Sequence, residues 1–131
     1  MIALDTNILV RFLVEDDAEQ TRLATRVLEH ALESGEPCYI SDVVMCEIVW
    51  VLDARYKIGR TEIHRALERL LQSQQLVFTS SSVLARALHA FAKGRGDFAD
   101  YLIREHARAA GCEIVVTFDG KLLKEAGFRG P

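Results

Sequence analysis

Five carboxylates in this chain occupy positions whose surroundings call for an explanation: Asp5, Glu47, Asp97, Asp100 and Asp119. Asp5 interrupts the apolar run "MIALDTNILV", where a desolvated carboxylate without a partner is costly. Glu47 sits in "VVMCEIVWVL" with Val43, Val44, Trp50 and Val51 at helical spacings of three and four, a position that ordinarily holds Leu. Asp97 and Asp100 stand three apart at the start of a helical pattern, "GDFADYLIREHARAAGC", and so share a face. Asp119 closes the apolar run "EIVVTFD". Taken together, carboxylates that converge must either raise their pKa values or be neutralised by a cation. Oxygen-only ligands suit Mg²⁺ or Mn²⁺. Such a cation lowers the pKa of bound water and stabilises charge on a phosphoryl oxygen during in-line displacement.

Each acid also has a simpler reading. Asp5, Asp97 and Asp119 can each cap the helix that follows. Glu47 can form a buried ion pair with an arginine such as Arg104, although such pairs seldom gain stability over an apolar substitute. Asp100 can pair with Arg104 at i+4, a contact worth a few tenths of a kcal/mol. Thr6, Asn7 and Thr117 flank these acids and can orient carboxylates or water. Capping and strand propensity explain the same three residues equally well.

The elements that position these residues follow from periodicity. Short apolar runs at 2–4, 38–40, 76–78 and 113–118 read as buried strands, and helical patterns cover 17–33, 43–56, 61–72, 82–92 and 97–110. Alternation of strands with helices predicts an α/β fold with a mostly parallel sheet flanked by helices. Sites in such sheets form beyond the carboxyl ends of the strands, where Asp5 and Asp119 both fall. Gly35, Gly59, the glycine pair in "KGRGD" and Gly111 mark the breaks, with Thr61 as an N-cap.

Composition bounds the rest. With 131 residues of which 50% are hydrophobic, the chain can fill one core, and residues 1–131 read as one domain without linker or repeat. No apolar run approaches a membrane span, so a cytoplasmic protein is expected. Cys38, Cys46 and Cys112 lack CxxC spacing and read as reduced core thiols. A net charge of -3 argues against coating nucleic acid by bulk charge. Local basic stretches remain. Arg55, Lys57, Lys93 and Arg95 are candidates for backbone phosphate contacts, with solvated helix faces as the commoner alternative.

Three stretches, "LDTNILVRFL", "SDVVMCEIVWVLDARY" and "DFADYLIREHARAAGCEIVVTFD", in this order and spacing, resemble the PIN-domain ribonucleases and among them the VapC-like toxins of prokaryotic type II toxin–antitoxin systems. The resemblance spans essentially the whole chain. It implies a PIN-like three-layer fold and an endoribonuclease that uses Mg²⁺ or Mn²⁺ to cleave structured RNA, tRNA or rRNA, and so halts translation. It further implies a homodimer and a VapB-like antitoxin whose C-terminal segment covers the groove. Residue by residue, it implies that Asp5, Glu47, Asp100 and Asp119 bind the metal, with Glu47 also orienting the attacking water. Asp100 matches the third acid because "DxxIxxxAxxxG" runs on from it, and Asp97 occupies a neighbouring position where relatives also tend to carry an acid. The stretch "WVLDARYKIGR" reads as a partner or RNA contact, with Trp50 assigned to the core.

Two rivals are weighed on the same residues. A haloacid-dehalogenase-type phosphatase also places a nucleophilic Asp after its first strand, but its general acid would stand where this chain has Asn7. A non-catalytic PIN-like interaction domain would be marked by loss of a site acid, and all are present.

Overall fold

The computed structural model describes residues 1–131, which divide into two compact units, Met1–Thr79 and Ser80–Pro131. In the first unit, β1 (Ile2–Ala3), α1 (Thr6–Val14), α2 (Ala18–Ser34), β2 (Cys38–Ile40), α3 (Asp42–Ala54), α4 (Arg60–Gln72) and β3 (Leu76–Phe78) follow in order. The three strands form a parallel sheet in the order β1-β2-β3, with Ile2 opposite Cys38 and Ile40 opposite Phe78. The central strand β2 buries Cys38 and Ile40 completely, and Leu9, Met45, Ile48, Leu52 and Leu67 from three helices complete this core.

Helix boundaries follow local chemistry. Asp17 caps α2 by accepting the Gln20 N–H (2.9 Å), and Gly35 ends that helix at φ 68°, a conformation open to glycine at little cost. Ser41 caps α3 through the Val44 N–H. The N-cap of α4 is Gly59 and not Thr61, because the helix starts one residue earlier than its apolar pattern, at Arg60.

The second unit holds α5 (Ser81–Lys93), α6 (Phe98–Ala109), β4 (Val115–Val116) and β5 (Phe128–Arg129). The two helices pack against each other, with Phe91 and Phe98 meeting edge to face at 6.0 Å between centroids. The two strands pair in parallel, Val115 opposite Phe128. Glu105, 2% exposed, accepts hydrogen bonds from Arg104 and Arg108 and also pairs with Arg86. Arg104 therefore serves Glu105 and the Ala126 carbonyl, and neither Glu47 nor Asp100 has it as the expected partner.

Every strand pairing is parallel, as the alternation of elements predicts. The strands fall into a three-stranded and a two-stranded sheet, and β5 lies beyond the four expected. Not all strands are buried. Ile2 (38%) and Val116 (54%) are exposed, since β1 is an edge strand and a two-stranded ladder has no centre. Cys112 is exposed as well, beyond the end of α6, so only Cys38 is a buried core thiol and Cys46 is half-buried. No helix is long and apolar enough to cross a membrane.

Candidate active site

The first unit brings together one pair of candidate residues through a third. Asp5 follows the buried Leu4 and stands at the N-cap position of α1, with φ -85° and ψ 163°. Its side chain makes no capping hydrogen bond and is exposed, so neither the cap nor the buried carboxylate describes it. Thr6, the next residue, is 4% exposed, and its hydroxyl donates to Glu47 Oε2 at 3.0 Å. The bond fixes the Glu47 carboxylate from α3 against the start of α1. Asn7 points to solvent at the same helix end.

Helix α3 is apolar around most of its circumference, so its pattern alone does not select a core face. Met45, Ile48, Val49 and Leu52 turn inward, while Val43 (66%) and Trp50 (68%) share the solvent face with Glu47. Glu47 thus lies on the predicted stripe, but there Val43 and Trp50 are exposed and Val44 and Val51 only half-buried. Trp50 is not a core residue. The charge at Glu47 explains the choice, because turning this face inward would desolvate a carboxylate.

In the second unit, Asp97 is the N-cap of α6 and Asp100 its third residue, forming a capping box in which Asp100 Oδ2 accepts the Asp97 N–H at 2.9 Å. Asp119 begins a turn and not a helix. Its N–H donates to Thr117 Oγ1 (3.0 Å), and its Oδ1 accepts the Lys121 N–H (3.0 Å). Lys121 Nζ stands 4.0 Å from Asp119 Oδ2, a loose contact on a side chain 36% exposed.

Arg55, Lys57, Lys93 and Arg95 are all exposed. Tyr56, from the stretch assigned to partner contacts, instead fastens the α1–α2 turn: its hydroxyl donates to Asp16 Oδ2 (2.9 Å), and Arg11 donates to Asp16 Oδ1 (2.7 Å). These two partners, the tyrosine hydroxyl foremost, hold the Asp16 carboxyl below its ordinary value.

No three His, Cys, Asp or Glu side chains gather into a cluster able to hold a metal ion. Asp5 and Glu47 lie in the first unit, and Asp97, Asp100 and Asp119 in the second. Within their units, no lysine or arginine neutralises Asp5, Glu47, Asp97 or Asp100. Oxygen donors without counter-charge fit a hard divalent cation.

A family model for the PIN domain matches residues 2–128. The chain belongs to the PIN-domain family. It is 28% identical over 129 residues to a VapC ribonuclease of Aquifex aeolicus, covering 98% of this chain and 94% of that protein. Among solved structures it is similar to Mycobacterium tuberculosis VapC20, a sarcin-ricin loop cleaving toxin, at 20% identity and a TM-score of 0.42, covering 92% and 91% of the two chains. Membership of the PIN family removes the phosphatase alternative. The PIN model begins at Ile2 and so includes Asp5, the residue whose setting raised the question.

Proposed function

We propose that this PIN-domain chain is a divalent-metal-dependent endoribonuclease, the toxin of a type II toxin–antitoxin pair, with residues 1–131 acting as a single domain. The observation that carries the proposal is that the carboxylates of Asp5, Glu47 and Asp100 have no cation partner within their units, and that Glu47 is held in place by a buried hydroxyl. Its VapC-like relative supports the ribonuclease reading.

In this reading Asp5, Glu47, Asp100 and Asp119 are the ligands of Mg²⁺ or Mn²⁺, which when bound supplies positive charge to the phosphoryl group and lowers the pKa of water. Asp5 contributes a carboxylate unengaged by its own helix. Thr6 leaves Glu47 one free oxygen, with which Glu47 aligns the attacking water by accepting its hydrogen bond. Thr117 fixes the backbone from which Asp119 projects. Asp97 holds the first turn of α6, and hence Asp100, in place. The water oxygen bonds to phosphorus as the P–O3′ bond breaks; the 3′-oxygen leaves as a hydroxyl with a proton from water, and the phosphate stays on the 5′-oxygen of the downstream fragment.

The substrate class is structured RNA, tRNA or rRNA, in the cytoplasm. The partners are a VapB-like antitoxin and a second copy of the chain. Induced expression in a bacterial host tests the proposal: the wild type should arrest translation and leave discrete new RNA 5′ ends, and Asp5→Asn should do neither. Arrest without RNA cleavage would overturn the proposal.

A further inference from the structure

The second unit contains an open pocket of about 580 Å³ that no part of the proposed carboxylate site uses. Four cations line it: Lys93 from the end of α5, Arg95 from the loop that follows, and Lys121 and Lys124 from the turn after β4. One acid, Glu125, lies among them, so the wall carries a surplus of three positive charges in a chain whose net charge is -3.

The pocket is built by hydrogen bonds beneath it. Tyr101, 0% exposed, accepts the Gly96 N–H at 2.9 Å and donates its hydroxyl to Glu125 at 2.7 Å. This single side chain ties the Lys93–Arg95 loop to the Lys121–Lys124 turn. It also holds Glu125, the single acid of the lining, through its hydroxyl. The Gly94 backbone approaches so closely that a Cβ there would lie 1.8 Å from the Tyr101 oxygen. Lys93, Arg95 and Lys124 have no acid partner, and Lys121 has only the 4.0 Å contact with Asp119. A surplus of three positive charges lining one pocket is self-repelling, and an anion seated among them relieves that repulsion.

We infer that this pocket binds backbone phosphate of the RNA strand, next to the phosphate being cleaved. The assignment of the strand as the anion rests on the ribonuclease reading. Gly120, which lines the pocket, directly follows Asp119, so a strand seated here runs past that carboxylate.

The test measures binding apart from cleavage. Fluorescence anisotropy of a labelled mixed-sequence 12-nucleotide RNA is recorded in EDTA over a series of salt concentrations. Lys93→Gln with Arg95→Gln, and separately Lys124→Gln, are compared with Arg65→Gln on α4, a residue outside the pocket lining. The double variant should lower the salt slope by about 1.4 and Lys124→Gln by about 0.7, following roughly 0.7 per phosphate contact on a single strand. Arg65→Gln should leave it unchanged. Equal slopes in all variants would overturn the pocket, even if the wild type cleaves RNA. Loss of slope in a protein that cleaves no RNA with either metal would leave the pocket standing and remove the nuclease reading. Competition by inorganic phosphate at concentrations that leave RNA unable to bind even at low salt would overturn the strand in favour of a free anion.

Discussion

Thr6 and Glu47, 41 residues apart, are joined by a hydrogen bond of 3.0 Å from a buried hydroxyl to a solvent-facing carboxylate. The bond couples the helix that follows Asp5 to the exposed face of α3. Stability gains little from one such bond, about 1 kcal/mol. Its more specific consequence is to restrict the rotamer of an acid that is otherwise free.

Thr6→Val keeps the shape of the buried side chain and removes the donor. The fold should survive with a loss of about 1 kcal/mol in chemical denaturation, while RNA cleavage falls by roughly tenfold or more, as for partners that orient metal ligands. In a double-mutant cycle with Glu47→Gln, the two losses should be far from additive. Full additivity would show that Thr6 does not act through Glu47.

The two acids of α6 are separable by their hydrogen bonds. Asp97→Ser retains a capping oxygen and should keep most cleavage. Asp100→Asn retains an acceptor for the Asp97 N–H but loses the charge, so it should fold normally and cleave nothing. The opposite pattern would make Asp97 the ligand. Replacing Asp97 by Ala should lower stability by about 1 kcal/mol, the usual effect of losing a cap, which thermal melts would detect.

The acid limb of stability carries a signature of Asp16. Its carboxyl titrates below the ordinary 3.8 because Tyr56 donates a hydrogen bond to it and Arg11 lies alongside. A depressed folded pKa means that the unfolded chain binds the proton first as pH falls. Asp16 therefore contributes its stabilisation above 3.8 and loses it as pH drops through the lower, folded value. Tyr56→Phe should narrow this contribution, so urea midpoints of the two proteins should differ at pH 6 and draw together as pH falls below 3.8.

Thiol chemistry should report the burial pattern. Burial raises the Cys38 and Cys46 thiols above their ordinary value, whereas Cys112 is exposed. A disulfide reagent at pH 7.5 should label one thiol per native chain rapidly, and Cys112→Ser should abolish that phase. Rapid labelling of two or three would contradict the packing of β2 and α3.

Much of this architecture was legible in the residues. The three-residue runs at Cys38–Ile40 and Leu76–Phe78 are strands with those bounds, and the Asp97 cap and the parallel pairings follow from local signals. Burial was less legible. An apolar run does not reveal whether its strand is central or at an edge, hence exposed Ile2 and Val116. Nor does a helix as apolar as α3 disclose which stripe turns inward, which is why Trp50 reads as core and is not. Strand β5 is two residues between glycines and carries no periodicity at all. The acids at the motif positions were legible by type, and the Thr6–Glu47 bond only as one alternative. The pocket of four cations was not, because Lys93 and Lys124 meet only through the Tyr101–Glu125 bond.

The most direct test is cleavage of total cellular RNA by the purified protein, with Mg²⁺ or Mn²⁺, with EDTA, and with Asp5→Asn, followed by mapping of 5′ ends. The account predicts discrete cuts bearing 5′-phosphates, present with either metal and absent in both controls, with Asp5→Asn folded by circular dichroism. Cuts that persist in EDTA or in folded Asp5→Asn would contradict it.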